Sequence, residues 1–139
     1  MNHVYDASFI GALIIPDEKN IKVGESHLVI YKSGEIFIPQ LLWYEIANIF
    51  NNLIRRKRYT YENTLEFTDT LSSLKLTTDF QMGADYSVKL LRLSNEYNLS
   101  SYDAAYLELA DRKKAILCTL DDNLKTAAQK HGVTVLGEV

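Results

Sequence analysis

The stretch His3-Val4-Tyr5-Asp6-Ala7-Ser8 joins three residues of strand character to an acid and then to an apolar run at helical spacing, which Pro16 stops. A strand that hands over to a helix through an acid is the repeating unit of an α/β sheet. The acid then lies at the carboxyl end of its strand, where open α/β sheets hold their ligands. Asp6 and Ser8 are also good helix caps, so position alone leaves a structural and a functional role open.

The same grammar recurs along the chain. Apolar, often β-branched runs at 35–38, 115–118 and 133–136 read as strands, like 3–5. Helical periodicity covers 8–14, 21–32, 40–56, 61–74, 84–97, 101–112 and 123–131, and 75–78 admits a short extra strand. Strands separated by helices need crossover connections, which predicts an α/β fold with a mostly parallel sheet. No repeat or Gly/Pro/Ser-rich linker divides the chain, and Pro16 and Pro39 fall at element boundaries, so residues 1–139 are expected to form one domain.

Composition excludes several classes. The chain is 47% hydrophobic and 24% charged, close to ordinary globular averages, so disorder is not expected. The longest apolar stretch, 9–15, is far short of the roughly 18 residues of a bilayer span. Residues 1–6 carry no Lys or Arg, unlike a secretory leader, and a cytoplasmic location is expected. Cys118 is the only cysteine and lies in an apolar strand, which suits a core residue in a reducing compartment better than a nucleophile or zinc ligand. His3, His27 and His131 have no triad-like spacing, and no Gly-rich phosphate loop is present. The scattered tyrosines read as core and interface aromatics rather than base-stacking platforms.

Net charge is -3 and the isoelectric point about 5.6, without the basic excess of many nucleic-acid binders. The one dense basic cluster is Arg55, Arg56, Lys57 and Arg58. It reads first as a helix end charged to suit the macrodipole, and compatibly as a patch for phosphates.

Three more acids stand where acids are expensive. At about 100° per residue, Glu45 borders the stripe of Leu41, Leu42, Ile46, Ile49, Phe50 and Leu53, with Asn48 and Asn52 near the same edge. Asp103 begins a helix whose nearby face holds Tyr106, Leu107 and Ala110, and Asp121 follows the run 115–120 and precedes another helix. Each has an ordinary alternative: a rim glutamate, a first-turn acid favoured by the dipole, a cap. Brought together, the four would repel one another unless compensated, and a cation resolves that. Oxygen-only ligands suit Mg2+ or Mn2+.

Four ordered segments carry a resemblance that spans nearly the whole chain. They are Val4-Tyr5-Asp6-Ala7-Ser8; Ile38-Pro39-Gln40-Leu41-Leu42-Trp43-Tyr44-Glu45; Leu99-Ser100-Ser101-Tyr102-Asp103-Ala104-Ala105-Tyr106; and Thr119-Leu120-Asp121-Asp122-Asn123-Leu124. Together they resemble the PIN domain, and most closely the VapC-type toxin nucleases of toxin–antitoxin pairs. The resemblance implies a three-layer α/β/α fold and a Mg2+- or Mn2+-dependent ribonuclease. Asp6, Glu45 and Asp103 would be the core metal-site acids, Asp121 a further ligand directly or through water, and Ser8 and Thr119 their support. Asp122 is expected at an exposed helix start. It also implies an RNA substrate, which Arg55, Arg56, Lys57 and Arg58 could guide, a cognate antitoxin and a homodimer. The rival readings are a PIN-fold RNA-binding or protein-interaction module with weak catalysis, and a phosphatase with Asp-x-Asp after its first strand. Ser8 at the third position disfavours the phosphatase.

Overall fold

In the computed structural model, which describes residues 1–137, short strands alternate with helices as the sequence predicts. Strand β1 (Asn2–Tyr5) leads to α1 (Ala7–Ile14), a 3-10 turn (Pro16–Glu18) and α2 (Ile21–Ser33). Then come β2 (Glu35–Pro39), α3 (Leu41–Arg55), α4 (Tyr61–Ser72) and β3 (Leu76–Asp79). The chain continues through α5 (Ala84–Tyr97), α6 (Ser101–Arg112), β4 (Ile116–Cys118) and α7 (Asp122–His131). No helix among the described residues is long and apolar enough to cross a membrane.

The sheet has the order β3-β2-β1-β4 and is parallel throughout, with Val4 facing Phe37 on one side and Leu117 on the other. The extra strand is real and sits at the edge, one residue later than its expected position. The strand expected over 133–136 is reduced to a single parallel bridge, Leu117 to Val135. Its hydrogen bonds, Leu117 N–H to Thr134 O at 2.8 Å and Leu136 N–H to Leu117 O at 2.9 Å, all use one residue of the three-residue β4. A partner that short has no further groups to offer.

Crossovers in parallel sheets are right-handed, so their direction decides which face each helix covers. The steps from β1 to β2 and from β2 to β3 run one way along the sheet and place α1 to α4 on one face. The step from β3 back to β4 runs the other way and places α5 and α6 on the opposite face. The contacts agree: α1 packs on α2, α3 and α4, whereas α6 packs on α5, α7 and strands β1, β2 and β4. This is a three-layer α/β/α fold whose winding reverses between β1 and β4.

Being covered on both faces makes the central strands continuously apolar. Val4, Tyr5, Ile38 and Leu117 are fully buried with Phe9, Leu42, Leu107 and Leu124 from the helices. Tyr5 satisfies its hydroxyl on His27 Nδ1 at 2.8 Å, and Cys118 is buried as a core residue. Helix α3 buries Leu42, Ile46, Phe50 and Leu53 along one stripe. Gly34 precedes β2 so close to the Met1 carbonyl that a Cβ there would strike backbone.

A charged clamp holds the edge strand. Arg112, at the end of α6, bonds both Asp79 oxygens at 3.0 and 2.7 Å and reaches Glu108 at 3.0 Å. Its guanidinium holds the Asp79 carboxyl below the usual carboxylate range. Because Glu108 is buried, Arg112→Ala strands a carboxylate and should cost roughly 2–4 kcal/mol, with Arg112→Lys a poor substitute for the two-pronged contact. The lowered Asp79 value makes its share of the stability fully present above the unfolded value of about 3.9 and lost as pH falls through the folded value. Urea unfolding of wild type and Arg112→Ala should therefore differ at pH 7 and draw together at low pH.

Candidate metal centre

At the point of reversal, β1 and β4 send their helices to opposite faces and leave a crevice beyond their carboxyl ends. Asp6 enters it directly after β1. Its backbone N–H bonds Cys118 O at 3.2 Å, which ties it to β4. Its Oδ1 accepts from Phe9 N–H at 3.0 Å and Ser8 Oγ at 2.7 Å, and its Oδ2 accepts from the Thr119 hydroxyl. Thus Asp6 is the cap of α1 and also a buried acid at the strand end. The two roles are compatible, because a carboxylate has about four acceptor positions and the cap uses one of them.

Ser8 and Thr119 interlock beneath it. Leu120 N–H donates to Ser8 Oγ at 2.9 Å and Asp121 N–H to Thr119 Oγ1 at 3.0 Å. The two hydroxyls that hold Asp6 therefore also fix the turn that presents Asp121. Asp121 caps α7 through Leu124 N–H at 3.1 Å, and Asp122 is the exposed first residue of that helix.

Glu45, in the second turn of α3, is half-buried and accepts from Tyr106 Oη at 2.5 Å. Asp103, in the first turn of α6, is half-buried with its N–H on Ser100 Oγ at 3.1 Å. Burial raises the carboxyls of Asp6, Glu45 and Asp103 above the usual range. Their neighbours push the same way: Asp103 acts on Asp6, Asp103 and Asp6 act on Glu45, and Asp121 acts on Asp103. The fold thus gathers the four acids singled out from the sequence, and none of them has an ion-pair partner among the described residues.

Tyr106 escapes a reading by periodicity, which files tyrosine under the apolar face. Its place three residues after Asp103, on the same side of α6, is the signal that could have found it. It is buried and points its one donor at Glu45.

The basic cluster lies elsewhere. Arg55 ends α3, about 15 Å along the axis from Glu45 at 1.5 Å per residue. Arg58 pairs with Asp17 at 2.6 Å, and Lys57 turns the chain with φ of 57°.

The donor set is all oxygen, negative and uncompensated, which suits a hard divalent cation. Among the described residues no three acidic, His or Cys side chains converge into a ready-made cage.

Residues 4–130 match the family model of the PIN domain. The chain belongs to the PIN-domain family. Over 124 residues it is 27% identical to Ribonuclease VapC3 of Pyrobaculum aerophilum, covering 89% of this chain and 92% of that protein. The crystal structure of PAE2754, also from Pyrobaculum aerophilum, superposes with a TM-score of 0.66 at 26% identity over 91% of this chain and 79% of that one. VapBC2 of Rickettsia felis, bound to a DNA fragment from its promoter, gives a TM-score of 0.71 at 13% identity over 98% of both chains, a likeness of fold alone.

Repulsion within the PIN-domain acid cluster has a measurable consequence. Asp103→Asn keeps the shape and removes one repelling charge, so the metal-free protein should melt about 2–5 °C higher than wild type. Added Mg2+ or Mn2+ should raise the wild-type melting temperature, by an amount equivalent to about 2.7 kcal/mol at a hundred times Kd, and raise the variant's much less. Thermal melts in chelator and in excess cation check both directions.

Proposed function

We propose that this PIN-domain chain is a divalent-metal-dependent ribonuclease that hydrolyses RNA phosphodiester bonds, and that it is the toxin half of a toxin–antitoxin pair. The observation that carries the reading is that carboxylates from four elements lie near enough to raise one another's pKa, with no ion-pair partner among the described residues. Asp6, Glu45 and Asp103 would hold the ion, Mg2+ or Mn2+, with Asp121 joining directly or through water. When bound, such an ion polarises a phosphate and lowers the pKa of water to supply a nucleophile.

The protein's own groups do the positioning. Ser8 and Thr119 fix the Asp6 carboxylate against rotation. Tyr106 holds one Glu45 oxygen and leaves the other for water or ion, and a half-buried carboxylate with a raised pKa is a competent proton acceptor. The likeness to a curated ribonuclease supports the substrate class, and the likeness of fold to VapBC2 is consistent with an antitoxin partner. A homodimer, a cytoplasmic location and one domain over residues 1–139 belong to the same reading. Arg55, Arg56 and Lys57 could contact RNA only at a distance from the acids, as a secondary electrostatic contribution.

Asp6→Asn and Glu45→Gln should each lower Mg2+- or Mn2+-dependent cleavage of single-stranded RNA by about a hundredfold or more while leaving the far-ultraviolet spectrum unchanged. Tyr106→Phe should lower it less, by about tenfold, since it frees a ligand without removing one. Full cleavage by the first two variants, or by wild type in excess chelator, is the outcome that defeats the reading.

A further inference from the structure

Two of the four acids ride on helices that the sheet keeps apart: α3, with Glu45, covers one face and α6, with Asp103, the other. A cation shared by them needs both helices held at one separation and one rotation. The other acids, and Asp103 itself, stand at capped helix starts. Asp6 and Asp121 are the caps of α1 and α7, and Ser100 caps α6 ahead of Asp103. Helix α3 differs, because Gln40 at its start makes no side-chain cap bond among the described residues.

A tie to the edge strand stands in its place. Trp43, in the first turn of α3 and the only tryptophan of the chain, donates its indole Nε1–H to Thr78 Oγ1 of β3 at 3.0 Å. The next residue of that strand, Asp79, receives the two-pronged contact from Arg112 at the end of α6. Successive side chains of a strand point to opposite faces, so these two neighbours each meet a helix on their own side of the sheet. The register sets them beside Ile38 and Pro39, where β2 ends and the chain turns into α3.

We infer that Trp43 and Arg112 are positioning residues for the metal site: through Thr78 and Asp79 they fasten the helices that carry Glu45 and Asp103 to one strut, β3, which sets how the two acids face each other. The inference rests on the metal-dependent reading. The bond from Tyr106 to Glu45 joins the two helices directly, but one hydrogen bond leaves each helix free to turn about its axis. Trp43 and Glu45 project about 200° apart around α3, so pinning one side of the turn to β3 fixes the direction of the other. A rotation of about 10° would carry a carboxylate roughly 5–6 Å from the axis through about 1 Å. Displacements of about that size are enough to cost a site roughly a hundredfold in rate. Arg112 acts at the other end of its helix, about 14 Å along the axis from Asp103, and holds α6 against tilting.

The test uses the full chain and Mn2+ alone, with affinity measured by titration calorimetry in the absence of RNA. Thr78→Val keeps the side-chain shape and removes the acceptor, Thr78→Ser keeps the hydroxyl, and Arg112→Lys keeps the charge without the fork. Thr78→Val and Arg112→Lys should bind Mn2+ about tenfold more weakly than wild type, and Thr78→Ser should bind it as wild type does. Trp43, as the sole tryptophan, reports its tie directly: its fluorescence anisotropy should fall in Thr78→Val and not in Thr78→Ser. A merely structural role would lower melting temperatures in chelator and leave the Mn2+ affinity of the folded protein unchanged, and that result overturns the inference. Equal anisotropy in wild type and Thr78→Val, or no rescue by Thr78→Ser, overturns it too. Wild type that binds Mn2+ and cleaves RNA beside variants of equal affinity defeats the positioning role alone. Wild type that binds no divalent cation defeats the metal-dependent reading and the strut with it, whereas the expected affinity losses without RNA cleavage by wild type defeat only the ribonuclease assignment.

Discussion

Mutual repulsion among four carboxylates at the reversal of the sheet is the constraint on which the rest of this structure turns. Asp6 and Asp121 follow β1 and β4, Glu45 lies in the second turn of α3 and Asp103 in the first turn of α6. They meet only because the crossovers on the two sides of β1 carry their helices to opposite faces. The fold that creates the crevice therefore also concentrates charge in it, and burial raises the cost of charging Asp6, Glu45 and Asp103. A sequence selected for stability alone would have replaced at least one of these acids by a neutral residue.

The surrounding hydrogen bonds are arranged to hold that tension. Thr119, Ser8 and the Phe9 N–H all donate to Asp6 and oppose the effect of its burial, and Tyr106 does the same for Glu45. No cation among the described residues does so, although Arg112 and Lys113 end the helix that begins beside Asp103. Arg112 is engaged instead with Asp79 and Glu108. Neutral donors keep a carboxylate oriented and still leave its charge available, whereas a salt bridge would have neutralised the group a metal ion needs.

Much of this was legible in the sequence because it is periodic or local. Strand, acid and helix succeed one another around Asp6 and again around Asp121, and the stripe on α3 sets Glu45 at its border. What escaped depends on long-range placement. The fifth strand shrank to one bridge because its partner, β4, is three residues long, a fact about the neighbour rather than about residues 133–136. The bond from Tyr106 to Glu45 joins residues 61 apart, and no helical period reveals which tyrosine faces an acid. Gln81 and Met82 come to line a cleft with Tyr44 and Tyr102 only after β3 pairs with β2. Exposure of Tyr44 and Tyr102 next in sequence to two half-buried acids is a property of the assembled surface.

Charge then constrains how such a surface could engage RNA. The acids repel a phosphate until a cation is present, and the nearest dense basic residues lie about 15 Å away at the far end of α3. Arg58 in that group is committed to Asp17. Affinity that came mainly from lysines and arginines would fall steeply with salt. Next to the acids the described neighbours are hydroxyl groups, Ser8, Tyr106 and Thr119, which carry no charge. On the proposed ribonuclease reading, approach of a phosphate to the acids is therefore governed more by cation occupancy than by the strand's total charge. A net charge of -3 is compatible with that reading, because the cation and not the protein's surface charge offsets the phosphate.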